Sequence, residues 1–283
     1  MNDKSIVAVV GPAFSGETKA TGQTFNENGV PAVSASATNP GLSKNGWGTF
    51  HRVVGNDDKQ GPAAARYIKN NLGAKSVGVI DDASEYGKGL ADIVKSTLGA
   101  AVVASDTIVK DAPDYSAAVN KMKDKNPDAI FYGGYYQEAG KLAKQLRDAG
   151  VKSTLVFGDG VLDPGYIDVA GKDASANSAI ACTCASIAAD SPFAVAYKAK
   201  FNVGPGTYSA EAFDSANVFL DAFKAGKQDR KSILAFVGTY SKQGISKLIK
   251  FDATGELTGG GEDVAGVFPV ADGKIADTPV GVK

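Results

Sequence analysis

Short apolar runs rich in Val and Ile alternate along the chain with longer amphipathic stretches, the pattern of parallel strands joined by crossover helices. The spacing predicts strands at Ile6–Val10, Val30–Ser34, Ser76–Asp81, Ala101–Ile108, Ala129–Gly133, Thr154–Phe157 and Ser178–Cys184, most of them ending in Gly, Asp, Ser or Tyr. Helices are predicted where start signals precede amphipathic stretches: Ser15 before Glu17, Asn56 before DDKQGPAAARYIKNNLG, Asp114 before YSAAVNKMKDK, and Ser191 before PFAVAYKAKF. Gly73 and Gly150 stand where C-terminal caps belong. Ala65, Ile68 and Leu72 fall on one helical face, as do Ala139, Leu142, Leu146 and Ala149, and stripes of this kind pack on a sheet. After Ala181 the alternation changes to helices at Ser191–Phe201, Tyr208–Ala225 and Arg230–Phe236, followed by short strands at Ser246–Asp252 and Gly266–Val270. The fold class is α/β.

The chain has 283 residues, 43% hydrophobic and 22% charged, enough for two cores and two domains. A formal net charge of -1 gives no basic footprint for nucleic acid and no polybasic membrane patch. No apolar run approaches the roughly 20 residues needed to span a bilayer. The start, MNDKSIVAVV, shows no charged region followed by a long apolar stretch, so no signal peptide is visible.

Cys182 and Cys184 lie two apart in SAIACTCAS, which reads as strand. In a strand their alpha carbons stand roughly 6.5 to 7 Å apart, at or beyond the limit of disulfide geometry. The expectation is therefore two buried thiols, with a strained disulfide second and a metal last.

Two strand ends carry the chemistry of an anion pocket. In VAVVGPAFSGET (Val7–Thr18) a strand ends in a Gly-Pro turn and Ser15 opens a helix, aiming backbone N–H groups and a hydroxyl at one point. VPAVSASAT (Val30–Thr38) is a second apolar run ending in small hydroxylated residues. Further along, VGVIDDASEY, IFYGGYY and LVFGDG put Tyr86, Tyr135 and Asp159 near strand ends, where ligands bind in doubly wound sheets. A carboxylate pocket together with an acid and aromatic rings suits the two charges of an α-amino acid.

No catalytic or cofactor motif accompanies them. The one histidine, His51 beside Arg52, reads as structural, and no second His or Cys completes a metal set. GxSxG, Walker, HExxH and GxGxxG patterns are absent, so neither an enzyme nor a cofactor is expected. The glycines of TGGGED (Thr258–Asp263) read as turn punctuation, since no strand-loop-helix frame surrounds them.

The runs GPAFSGETKA, GVPAVSASATNPGLS, FHRVVGNDDKQGPAAARYI, DDASEYGKGLA, AIFYGGYYQEAGKLAKQLRDAG and FGDG resemble the leucine/isoleucine/valine-binding proteins, the receptors of bacterial ABC importers. The resemblance runs almost the whole length. It implies a type I periplasmic-binding-protein fold, two Rossmann-like doubly wound lobes joined by three crossovers, with an amino acid held in the cleft by hinge closure. Lobe I is expected at 1–54 and 186–252, and lobe II at 55–185 and 253–283, with hinges near Gly55–Asp58 and Ala185–Ala189.

By the same resemblance Ser15, Ser36, Thr38 and the backbone of Ala37 hold the ligand's carboxylate and accept from its ammonium. Tyr86 and Tyr135 close over the ligand, Asp159 pairs with the ammonium, and Tyr208 lines the lobe I side. Asp159 stands where a longer glutamate is common and Ser36 where alanine is common, which implies an ammonium cage reached in part through water. The implied partners are a branched-chain amino acid and a membrane permease, the implied location periplasmic or cell-surface, and the implied state a monomer if complete. A cytoplasmic amide or amino-acid sensor of the same fold is the alternative.

Family members normally begin with a strand, a glycine-rich loop, a long helix and a second strand ahead of the segment that starts here at Lys4. Lobe I is thus expected to be incomplete, with an exposed sheet edge. A shortened or mis-started form of an ordinary receptor is the first explanation, ahead of a processed form and a natural short variant.

Overall fold

A computed structural model describes residues 3–258 and 265–282, which fall into two units; the glycines of TGGGED lie outside the described residues. The first unit opens with β1 (Val9–Val10), α1 (Ser15–Glu27), β2 (Ala32–Ser34) and β3 (Phe50–Arg52). These strands form a parallel sheet in the order β1-β2-β3. β1 is shorter than the apolar run Ile6–Val10, because only Val9 and Val10 pair with β2. β3 joins the sheet although its sequence carries His51 and Arg52, and all three of its residues are buried.

The second unit begins after Asn56 with α2 (Asp57–Arg66) and continues through β4 (Val77–Asp81), α3 (Glu85–Leu98), β5 (Val102–Thr107), α4 (Ser116–Lys125), β6 (Ala129–Gly133) and α5 (Tyr136–Asp148). It runs on through β7 (Thr154–Phe157), α6 (Gly165–Ala170), α7 (Lys172–Ser175) and β8 (Ser178–Cys182). The chain then returns to the first unit for α8 (Pro192–Phe201), α9 (Ser209–Lys224), α10 (Arg230–Val237), β9 (Ser241–Gln243) and β10 (Leu248–Lys250). It ends in the second unit with β11 (Gly266–Ala271) and β12 (Lys274–Ile275).

The second unit's sheet has seven strands in the order β12-β11-β8-β7-β6-β4-β5, parallel from β8 to β5 and antiparallel at β11 and β12. Its two faces follow from strand alternation. On β6, Ile130 and Tyr132 enter a core with Leu142, Leu146 and Phe157, while Ala129 and Phe131 enter another with Leu90, Val94 and Ile68. Both predicted helical stripes are in these cores. A strand buried on both faces reads as continuous hydrophobics, which is why β4, β6, β7 and β8 are legible in the sequence.

Residues 253–258, expected in the second lobe, group with the first unit. The cause is local pairing: Phe251 bridges Leu257, and Thr258 N donates to the Lys250 carbonyl at 2.8 Å.

The expectation of two free thiols is also corrected. Both cysteines are disulfide-bonded, and as the chain has only two they bond each other. The spacing argument assumed a strand through Cys184, whereas β8 stops at Cys182 and the chain bends at Cys184. The extended separation does not apply across that bend.

Candidate functional site

The two groups of predicted residues lie in different units, and each is built by its own sheet. In the first unit, α1 starts with Ser15 as its first helical residue, after an extended Phe14 that contributes no side-chain cap. The predicted cap is thereby shifted by one: Ser15 Oγ, 1% exposed, does not cap its own helix and instead accepts from Asn39 N at 3.2 Å. The segment after β2 folds onto the Gly-Pro turn through two serines. Ser34 Oγ donates to the Pro12 carbonyl at 2.6 Å and accepts from Ala37 N at 3.0 Å, and Ser36 Oγ donates to the Ala13 carbonyl at 2.7 Å.

These bonds draw Ser15, Ser36, Ala37 and Thr38 into one loop cluster. Within it Thr38 stands apart, because its Oγ1 is buried and has no hydrogen-bond partner. A buried hydroxyl left unpaired costs about 1 to 3 kcal/mol, so such an atom calls for an explanation. The backbone of Ala37 is already engaged, its N–H by Ser34 Oγ and its carbonyl by Arg52 Nη1. Tyr208 stands at the amino end of α9 with a φ of 64°, its carbonyl accepting from Ala212 N; its place in a site rests on the resemblance.

In the second unit, Asp159 follows β7 and is 6% exposed. Its Oδ1 accepts from Tyr86 Oη at 2.7 Å and from Gln60 Nε2 at 2.6 Å. Tyr86 Oη in turn accepts from Gly160 N at 3.1 Å. Burial, and then the charges of Asp159 and Asp57, push the Tyr86 phenol well above its ordinary pKa, so it serves as a donor. Tyr135 completes the group, its ring centroid 5.3 Å from that of Tyr86.

The glycines flanking Asp159 make this closeness possible. A Cβ at Gly160 would lie 2.9 Å from Tyr86 Cε1 and 3.1 Å from Tyr135 Cδ1, and one at Gly158 would strike Tyr86 Oη. The tripeptide Gly158-Asp159-Gly160 thus packs closely against Tyr86, with Tyr135 beside it, while Asp159 accepts from the Tyr86 hydroxyl.

Gln60 is the residue that sequence reasoning missed. It is fully buried on α2, and its amide also donates to Asp57 Oδ1 at 3.3 Å. With both amide protons directed at carboxylates, its orientation is fixed. The available signal was periodicity: Gln60, Ala64 and Ile68 are four apart on a buried face, so a polar side chain interrupts an apolar stripe.

His51 Nδ1 is buried without a partner, the ring packs edge-on against Phe251, and burial lowers its pKa to about 4. This is a structural histidine. Among the described residues no group of three or more His, Cys, Asp and Glu could hold a metal ion.

The periplasmic binding protein family matches residues 1–258 of the chain. This chain belongs to the periplasmic binding protein family. Among the relatives of this binding protein, the Leu/Ile/Val-binding protein BraC3 of Rhizobium johnstonii is 35% identical over 88% of the chain and 70% of the relative. A solved structure of the branched-chain amino acid transporter substrate-binding protein LivJ from Streptococcus pneumoniae, in complex with isoleucine, is 33% identical; the match covers 95% of this chain and 77% of that one with a TM-score of 0.84. The leucine-binding protein LivK from Thermotoga maritima is 29% identical, covering 97% and 79%, with a TM-score of 0.86. The α/β fold of this binding protein is the type I periplasmic-binding-protein fold. The family places its members outside the cytoplasm, and among the described residues no helix is long and apolar enough to cross a membrane.

Proposed function

We propose that this chain is the substrate-binding protein of an ABC importer and captures a branched-chain aliphatic amino acid. The observation that carries the reading is Asp159, a buried carboxylate fixed by Tyr86 and Gln60. Burying a charge is costly unless it is hydrogen-bonded, so a carboxylate held this way beside aromatic faces suits a cation such as an ammonium. In the first unit Thr38 Oγ1, buried without a partner in the loop cluster with Ser15, suits a carboxylate, the other charge that an amino acid carries. The names of the relatives, one of them solved with isoleucine, favour this over a cytoplasmic sensor.

No residue set for catalysis enters the reading, which is of a binding protein and not an enzyme. A membrane permease is the proposed partner, and the periplasm or cell surface the proposed location. The Cys182–Cys184 disulfide supports that location, since disulfides persist in oxidising compartments.

A thermal-shift and calorimetric screen of the full chain against the common amino acids, with amides as controls, tests the proposal. Ligand at 100 times its dissociation constant adds about 2.7 kcal/mol of stability. Stabilisation by leucine, isoleucine or valine is expected, with affinity weakened by at least about 1.5 kcal/mol in Asp159→Ala and in Thr38→Ala. Stabilisation by amides alone would support the sensor, and no stabilisation of a cooperatively melting sample by any amino acid would overturn the reading.

A further inference from the structure

We propose that Arg52 and Glu256 act as positioning residues for Thr38, a role that rests on the carboxylate reading of the Ser15–Thr38 loop cluster. Arg52 is fully buried on β3 and is among the largest fully buried side chains of the chain. A guanidinium there requires a full set of partners. Nε donates to Glu256 Oε2 at 2.9 Å and Nη2 to Glu256 Oε1 at 2.5 Å, a bidentate pair. Nη1 donates to the Ala37 carbonyl at 2.6 Å and to the Asn39 carbonyl at 3.0 Å.

Those two carbonyls straddle Thr38. The peptide before Thr38 is held through the Ala37 carbonyl by Arg52, and the peptide after it through Asn39 N by Ser15 Oγ. With both flanking peptides held, the direction of the Thr38 Cα–Cβ bond is set. A β-branched side chain then has few rotamers left. Arg52 thereby fixes the backbone from which the unpartnered hydroxyl of Thr38 projects.

Glu256 is delivered by a rigid turn. Asp252 Oδ1 accepts from Thr254 N at 2.7 Å, Thr254 Oγ1 at 2.7 Å and Glu256 N at 3.1 Å. The turn docks on β3 through Arg52 N, which donates to the Gly255 carbonyl at 3.0 Å. Gly255 has a φ of +81°, and a Cβ there would collide with the Phe50 carbonyl, so glycine is required on both counts. Burial works to raise the Glu256 carboxyl, but the hydrogen bonds and charge of Arg52, with hydrogen bonds to Ser43 and Asn56, outweigh it and hold Glu256 below its ordinary range. The relay runs from the Asp252–Glu256 turn through Arg52 to Thr38, entirely within the first unit.

The test uses the full chain as Arg52→Lys, Glu256→Gln, Thr38→Ala and the Thr38→Ala/Arg52→Lys double variant. Titration with L-leucine and L-isoleucine is combined with amide hydrogen exchange of the ligand-free proteins. Arg52→Lys is expected to weaken binding about tenfold, and the double variant to bind within about twofold of the weaker single variant, because both changes remove one function. In ligand-free Arg52→Lys the Asn39 amide is expected to exchange at least about tenfold faster while the core amide of Val218 is unchanged, the signature of local opening. Should Arg52→Lys not fold, Glu256→Gln, which keeps shape and an acceptor, is expected to show the same changes at smaller size.

Unchanged Asn39 protection, or losses in the double variant that multiply, would overturn the relay. A wild-type protein that binds no amino acid while Asn39 protection still falls in Arg52→Lys would overturn the proposed function and leave the positioning of the loop standing.

Discussion

Tyr86 donates to Asp159 Oδ1 at 2.7 Å although the two are 73 residues apart, one on α3 and the other after β7. Parallel crossover topology brings both to the same end of the sheet, and the bond fixes the carboxyl group in place. Tyr86→Phe keeps the ring packing and removes only that donor. We expect a loss of about 1.5 to 3 kcal/mol in amino-acid binding free energy, measured by calorimetry, with the fold retained. Undiminished affinity would mean that the Tyr86 hydroxyl is not needed to hold Asp159 for binding.

Gly160→Ala adds one methyl where 2.9 Å separates the new atom from the Tyr86 ring. Overpacking of this kind costs typically about 1 to 3 kcal/mol. The melting temperature should fall and ligand binding should fall with it, because the methyl displaces the two tyrosines. A variant as stable and as tight-binding as the parent would contradict the described packing.

His51 makes the first unit acid-sensitive. Its pKa is about 4 in the fold against 6.5 as a free side chain, so the unfolded chain binds the proton more readily. Stability is full above about pH 6.5, declines as pH falls toward about 4, and is independent of this group below that, a total of roughly 3 kcal/mol. Denaturant unfolding of His51→Gln between those limits should lose most of this slope. A slope equal to that of the parent would assign the acid response to other groups.

Met122 is fully buried on α4 against β4, in a different core from the one that holds Tyr86. Met122→Ala should cost about 2 to 5 kcal/mol in unfolding free energy. Ligand affinity, measured under conditions where the variant is folded, is expected to stay within about twofold, a difference well under 1.4 kcal/mol.

The α/β class and the strands at Ala129–Gly133 and Thr154–Phe157 were legible in the sequence because their determinants are local: runs of Val, Ile and Phe buried on both faces, and helices marked by caps and stripes. Ser15, Tyr86, Tyr135 and Asp159 stood out by the same logic, as polar residues at element ends, while Ser36 and Thr38 were singled out by the family resemblance. What needed the tertiary structure depends on chain segments far apart in sequence. The bond from Gln60 to Asp159 spans 99 residues and the pair of Arg52 with Glu256 spans 204, and no periodicity encodes a contact of that separation. The disulfide was misjudged for the opposite reason: a single bend at Cys184 overrides the extended spacing that the pattern of apolar residues suggests. Sequence determines which residues are polar at strand ends, and the packing of distant segments decides which of their hydrogen-bonding atoms are already satisfied and which, like Thr38 Oγ1, are not.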